Sequence, residues 1–111
     1  MNNDNNHLNN PPHAVDVQNG AFFLKSLGET TLFKAGVYIS KPDYKIKLEA
    51  VILGTDDKWE TDYSCGLGSG NAELPVSFLR PHIHREVELR YYVKTSEGVV
   101  DSESLKVRIL P

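Results

Sequence analysis

One stretch of strict two-residue alternation near the C-terminus limits the fold more than any other feature of this sequence. In residues 86–94, polar and apolar side chains take turns without interruption. The apolar set is Val87, Leu89, Tyr91 and Val93, and the polar set is Glu86, Glu88, Arg90, Tyr92 and Lys94. Because successive side chains of a β-strand point to opposite faces, this pattern predicts a strand with one face in a core and the other in water.

Further alternation predicts that the whole chain is built from strands. Residues 44–52 and 105–109 repeat the pattern, and no window of about eleven residues keeps apolar side chains at helical spacing. Shorter β-prone segments, separated by turn residues, are 15–17, 22–24, 30–33, 59–63 and 74–78. Residues 96–98 should close a hairpin, and residues 77–83 allow one short helical turn that Pro81 ends. The sequence therefore predicts an all-β antiparallel sandwich of about seven to nine strands.

Three stretches of the C-terminal half resemble bacterial immunoglobulin-like repeat domains, which occur in large surface and adhesin-like proteins. They are residues 74–79 (LPVSFL), residues 87–93 (VELRYYV) and residues 102–109 (SESLKVRI). The resemblance implies an immunoglobulin-like β-sandwich, present here as a single domain, and a role in binding or cell adhesion. It carries over structural positions only and assigns no site residue.

Length and charge indicate one ordinary globular domain. The chain has 111 residues, the size of a typical single domain. Residues 1–13 are polar, rich in asparagine and closed by two prolines, so we expect a disordered tail followed by a domain at residues 14–111. Fifteen acidic residues against twelve basic ones give a net charge of −3, which argues against a nucleic-acid partner.

The sequence shows neither the apolar segment of a signal peptide nor that of a membrane span. Its longest aliphatic run is residues 50–53, whereas a membrane helix needs about 20 apolar residues. We therefore expect no membrane insertion, and either a cytoplasmic location or export by a route that needs no signal peptide. Cys65 is the only cysteine, which rules out an internal disulfide bond. We expect a monomer or a weak homo-oligomer.

Two clusters have the residue types of a metal site but lack its spacing. His82 and His84 would share one face of a strand, yet no third ligand lies near them in the folded part of the sequence. Four acidic residues crowd one turn without the order of a calcium-binding loop: Asp56, Asp57, Glu60 and Asp62. We expect solvated side chains at both places, with no bound metal and no cofactor.

Cys65 and the glycine-rich run after it offer the nearest approach to catalytic chemistry. A phosphate-binding loop would continue with Lys and Ser or Thr, and this run does not. A nucleophilic pair of Cys65 with His82 or His84 would have no third group to orient it. We therefore expect no catalytic residue and no enzymatic activity.

The residues that we expect to bind a partner are Trp59, Glu88, Arg90 and Tyr92. The last three stand two apart on the charged face of the strand at 86–94, and Trp59 lies beside an acidic turn. Exposed tryptophan and tyrosine are common anchors of protein and sugar contacts, although both rings can also pack over lysine and arginine stems. The sequence thus favours a non-catalytic module that docks a protein or a glycan. The alternatives are a small cytosolic inhibitor or immunity-type protein, and a structural spacer subunit.

Overall fold

A computed structural model describes residues 8–65, 67–68 and 70–111, and β-structure predominates in that part of the chain, which confirms the predicted all-β class. Its strands are β1 (His13–Ala14), β2 (Ala21–Phe23), β3 (Thr30–Lys34), β4 (Lys45–Ile52), β5 (Lys58–Glu60), β6 (Ser64–Cys65), β7 (Asn71–Pro75), β8 (Glu86–Thr95), β9 (Gly98–Asp101) and β10 (Leu105–Leu110). Its helical turns are short, namely Leu24–Ser26 (3₁₀), Val76–Leu79 (α1) and Arg80–His82 (3₁₀). None of the helices among the described residues has the length and apolarity needed to cross a membrane.

The strands form two sheets, an arrangement consistent with a β-sandwich. The smaller sheet has the order β1-β3-β7, and the larger has the order β2-β10-β8-β4-β5, with β6 beside β4 and β9 beside β8. Among these pairs only β2 and β10 run parallel. One apolar cluster joins the two sheets, and it includes Phe33 and Leu74 from the smaller sheet and Ile46 and Leu89 from the larger.

Strand β8 lies at the centre of the larger sheet and confirms the predicted alternation. Its four apolar residues are fully buried, and the polar residues between them are partly or wholly exposed. Strand β4 pairs with it over eight residues, so that Leu48 is opposite Tyr91 on the inner side and Lys47 is opposite Tyr92 on the other. The three long strands expected from the sequence match β4, β8 and β10.

The chain returns along β8 in two pieces rather than as one strand. The predicted turn at residues 96–98 closes a hairpin, and its second strand is the short β9. Tyr92 is opposite Asp101 in the β8–β9 pair, whereas Leu89 is opposite Leu105 in the β8–β10 pair, a register shift of one residue. Such a shift marks a β-bulge, here at residues 102–104, which bends the returning strand and divides it.

The segment before β1 packs on the domain, which differs from the predicted boundary at Ala14. Leu8 is buried in the apolar cluster, and the backbone carbonyl of Asn10 accepts a 2.6 Å hydrogen bond from the Tyr91 hydroxyl. Leu8 and Asn10 are therefore held by partners that are distant in sequence, in a segment whose composition alone predicts disorder. The rest of the expected tail, residues 1–7, lies outside the described residues.

Local departures from the predicted strands have simple causes. The segment at 15–17 is not a strand, since β1 ends at Ala14 and a turn follows. Strand β7 ends at Pro75, and the expected strand at 74–78 gives way to α1. Pro81 lies within the following 3₁₀ turn and does not end it, because a proline near the start of a helical turn removes an N–H that has no partner there.

Candidate functional site

The solvent side of β4, β5 and β8, here named the outer face, carries three of the four residues expected to bind. Cross-strand register places Glu49 opposite Arg90 and Val51 opposite Glu88. The charged and tyrosine residues that these three strands place on this face are Lys45, Lys47, Glu49, Lys58, Glu60, Glu86, Glu88, Arg90, Tyr92 and Lys94. The structure thus brings Glu88, Arg90 and Tyr92 into one row, as the alternation predicts.

One part of the outer face neutralises itself, and we name it the paired end: Glu49, Lys58, Glu88, Arg90 and Tyr92. Arg90 Nη2 donates to Glu88 Oε1 at 2.9 Å. The Tyr92 hydroxyl donates to Glu49 Oε1 at 2.7 Å, and Lys58 Nζ lies 4.0 Å from Glu49 Oε2. Each carboxylate of this group therefore has a cation or a hydroxyl beside it.

Glu49 differs from its predicted exposure. The sequence places it on the water side of β4, but the residue is only 7% exposed. The cause lies on both sides of β4, because the Tyr92 hydroxyl bonds to its carboxylate from β8 and Lys58 reaches it from β5. A carboxylate with so little access to water is costly to bury without hydrogen bonds, and the Tyr92 hydroxyl supplies one.

The paired end shifts the ionisation of two of its members. Burial and, after it, the hydrogen bond to Glu49 together raise the pKa of Tyr92 to about 12, against the opposing effect of Arg90. Burial lowers the pKa of Arg90, but the hydrogen bond with Tyr92 and the charges of Glu88 and Glu49 outweigh it, so the pKa is raised overall. Both shifts keep the neutral phenol and the charged guanidinium that the network requires.

The opposite part of the outer face, which we name the lysine end, consists of Lys45, Lys94 and the ring of Tyr63. Lys45 and Lys94 are directly opposite each other on β4 and β8, and both are exposed. Lys94 Nζ lies 5.5 Å from the centre of the Tyr63 ring. Lys47 stands between the two ends, 5.2 Å from the ring centres of both Tyr63 and Tyr92 and 3.4 Å from Glu60.

Trp59 does not share the outer face with Tyr92. It is opposite Ala50, whose side chain is fully buried, so the indole points to the inner side of the sheet. Its ring lies 6.5 Å from that of Phe33 in the smaller sheet, in an edge-on arrangement, and packs against the apolar cluster. The indole thus closes one edge of the core. The sequence already indicates this orientation. Trp59 alternates with Lys58 and Glu60, so its side chain lies on the opposite face of the strand from theirs.

The two groups with metal-binding residue types are dispersed by the fold. Glu60 lies on the outer face near Lys47 and Lys58, whereas the carboxylate of Asp57 is 2.7 Å from His82 Nε2. The remaining acids of the group, Asp56 and Asp62, are both exposed. Within the described residues, no three His, Cys, Asp or Glu side chains lie close enough to hold a metal ion.

The expected pairing of His82 and His84 on one strand face is wrong. His82 ends a 3₁₀ turn, and His84 has a positive φ of 75° in the turn that precedes β8. Neither residue is part of a strand, so period-two geometry does not apply to their rings. Instead, His82 bridges the helical turn to the β4–β5 hairpin through Asp57, and its ring lies 6.4 Å from Phe78.

Cys65 is exposed in β6, opposite Lys45 at the rim of the lysine end. Part of the glycine run that follows is held by backbone bonds, since Gly68 and Ile39 exchange two of them at 2.8 and 2.9 Å. A Cβ atom at Gly70 would lie 2.7 Å from Ile46 Cδ1, so a larger residue there would displace the end of that side chain. Gly66 and Ser69 lie outside the described residues.

The sequence predicts the row of Glu88, Arg90 and Tyr92 on the outer face but not the side chains that contact this row. Lys47 and Glu49 belong to the site because β4 is the neighbour of β8, and Tyr63 because the chain passes β4 again after β5. The alternation in residues 44–52 gives their face but not their neighbours. Comparison of the chain with protein-family models, curated proteins and solved structures finds no match.

Proposed function

We propose that this chain is a non-catalytic binding module with an immunoglobulin-like sandwich, which docks a protein or glycan partner through the outer face of its larger sheet. The observation that carries the proposal is the row of Glu88, Arg90 and Tyr92. These residues are half-buried and line up on the side of β8 that faces away from the apolar core. A row of this kind joins an amphipathic ring to charges of both signs, which suits a contact with a polar rim.

The strand order supports the immunoglobulin-like part of the proposal. In chain order, β1, β3 and β7 form one sheet, while β4, β5, β8 and β10 lie in the other. An immunoglobulin sandwich separates its strands in this way, with strands A, B and E on one side and C, F and G on the other. The strand that crosses from the first sheet to the edge of the second, β2, runs parallel to β10.

Internal pairing supports the binding part of the proposal. The hydrogen bonds of Arg90 to Glu88 and of Tyr92 to Glu49 fix the side chains in place before any partner arrives. Side chains that are already ordered lose less conformational entropy on association. The paired end is therefore a preorganised surface in which the tyrosine ring is the anchor.

Affinity capture and a glycan array with the whole chain would identify the partner, and two matched variants would test the surface. Tyr92→Ala and Arg90→Ala should each weaken binding by at least about 1 kcal/mol, a factor of about five. The controls are Tyr38→Ala, at a tyrosine that is 78% exposed, and Lys34→Ala, on the smaller sheet. Equal binding by Tyr92→Ala, Arg90→Ala and the parent would contradict the proposal, as would loss of binding on treatment with a chelator alone.

A further inference from the structure

The lysine end carries positive charge that forms no ion pair within the described residues. Lys45 and Lys94 face each other across β4 and β8, an arrangement that destabilises a sheet through repulsion of like charges. In the part of the chain that the structure describes, neither ammonium group has a carboxylate within 4.0 Å. The nearest acidic position in register, Asp101, is opposite Tyr92 and forms no ion pair with Lys94. This contrasts with the paired end, where each carboxylate has a donor.

The aromatic ring of Tyr63 lies beside the ammonium groups of Lys94 and Lys47. Tyr63 is half-buried, with Lys94 Nζ 5.5 Å and Lys47 Nζ 5.2 Å from the centre of its ring. Cation–π attraction holds the two lysine side chains beside the ring. The lysine end therefore offers an apolar platform and at least two cations on the same exposed patch. This combination suits a ligand that has both a carbon face and negative charge.

We infer that the lysine end binds an acidic oligosaccharide, one whose sugar rings carry carboxylates, with the carboxylates at Lys45 and Lys94 and a sugar ring against Tyr63. The inference rests on the proposed function and names the class of ligand for one end of the same face. A sugar supplies the polar edge and the C–H face that a tyrosine platform accommodates. Carboxylates on the sugar supply the negative charges with which the two lysines can pair.

Two other classes of polyanion fit the patch less well. Lysine is depleted in the buried centre of protein–protein interfaces, so a patch centred on two lysines is a poor core for a protein contact. A nucleic acid needs a long basic track, and here the carboxylates of Glu60, Glu49 and Glu88 begin within a few residues of the lysines on the same face. The positive patch is thus short, which matches a few acidic sugars better than a phosphate backbone.

Calorimetric titration of the whole chain with oligogalacturonate tests the inference, and the methyl ester of the same oligosaccharide is the matched ligand control. Esterification removes the charge and keeps the sugar, so it should weaken binding at least about tenfold. Lys45→Glu and Lys94→Glu should each weaken binding of the acid by a similar factor. Lys34→Glu on the smaller sheet should change it less than about twofold, and Tyr63→Ala should weaken the acid and the ester alike.

Circular dichroism and a melting curve establish that each variant is folded. If a variant does not fold, the comparison of acid and ester on the unaltered chain still decides the question. Equal binding of acid and ester would overturn the inference, as would no detectable binding of oligogalacturonate at millimolar concentration. Tighter binding of polyglutamate than of oligogalacturonate would also overturn it, in favour of an acidic protein. If these tests fail while Arg90→Ala and Tyr92→Ala still weaken partner capture, the inference falls and the proposed function stands.

Discussion

The two ends of the outer face are built on the same pair of strands and differ in how their charges are satisfied. At the paired end, Glu88 bonds to Arg90 and Glu49 bonds to Tyr92 at hydrogen-bond distances. At the lysine end, Lys45 and Lys94 repel each other across the same two strands. One strand pair thus holds a surface whose charges are paired beside one whose lysines form no ion pair among the described residues.

The largest expected effect tests whether the outer face of β8 lies in solvent rather than in the core. Leu89→Ala should lower the free energy of unfolding by about 2–5 kcal/mol, because Leu89 is fully buried between the sheets. Arg90→Ala, one residue later on the other face, should cost less than about 1 kcal/mol. Urea unfolding of both variants measures the two values. Similar losses of stability in the two variants would show that the assigned register is wrong by one residue. The residues of the paired end and the lysine end would then not lie on the outer face.

The next largest effect compares the two ends by removing one tyrosine hydroxyl from each. Tyr92→Phe should cost about 1–2 kcal/mol, since it removes a hydrogen bond to the nearly buried carboxylate of Glu49. Tyr63→Phe should cost almost nothing, because the Tyr63 hydroxyl has no hydrogen bond to the described residues and its ring remains for Lys94. Thermal unfolding of the two variants makes the comparison, and equal losses would contradict the pairing described for Glu49.

Alkaline pH should weaken the fold through the two tyrosines of β8. Burial raises the pKa of Tyr91 and of Tyr92 to about 12 from the ordinary value of 10.0. A raised pKa in the folded state stabilises the protein fully below pH 10, and this contribution is lost as the pH rises through about 12. The unfolding free energy should fall over that window, and Tyr92→Phe should remove part of the fall. A flat profile from pH 10 to 12 would contradict the shielding of both hydroxyls.

The smallest expected effect is at the lysine end. Lys94→Gln should change stability by less than about 0.5 kcal/mol, in the stabilising direction, because it relieves the repulsion from Lys45. Glu88→Gln at the paired end should be destabilising by a similar amount, since it weakens the ion pair with Arg90. Both changes should shrink at high salt, where exposed charges are screened. A loss of stability in Lys94→Gln would show that the attraction of Lys94 to the Tyr63 ring outweighs its repulsion from Lys45.

The alternation of β8 allowed a correct prediction because every residue of that strand obeys it. Its four apolar residues all face the core, and β4 and β10 follow the same rule beside it. The bulge at residues 102–104 interrupts the alternation, and no residue in the sequence marks it. At this point the Ser102 hydroxyl, rather than a backbone carbonyl, accepts the hydrogen bond of the Tyr91 N–H at 2.9 Å. The N-terminal segment escaped prediction for a similar reason, because Leu8 and Asn10 are held by partners far away in sequence.

The row of site residues on β8 could be predicted from the sequence, but their contacts with other strands could not. The spacing of Glu88, Arg90 and Tyr92 is local, so their common face follows from the sequence alone. Which strand lies beside them is a matter of topology, and the roles of Lys47 and Glu49 depend on it. The position of Trp59 beside an acidic turn predicts exposure, but its indole packs against the apolar cluster and lies edge-on to Phe33.

The most direct test of the account is a map of backbone amide shifts by ¹⁵N NMR during titration of the chain with oligogalacturonate. We expect the largest shifts on Lys45, Tyr63, Lys94 and their immediate neighbours. Smaller shifts should spread to the paired end, and almost none should reach β1, β3 and β7 of the smaller sheet. Shifts centred on the smaller sheet, or scattered evenly over the molecule, would contradict the assignment of the lysine end of the outer face as the site for acidic sugars.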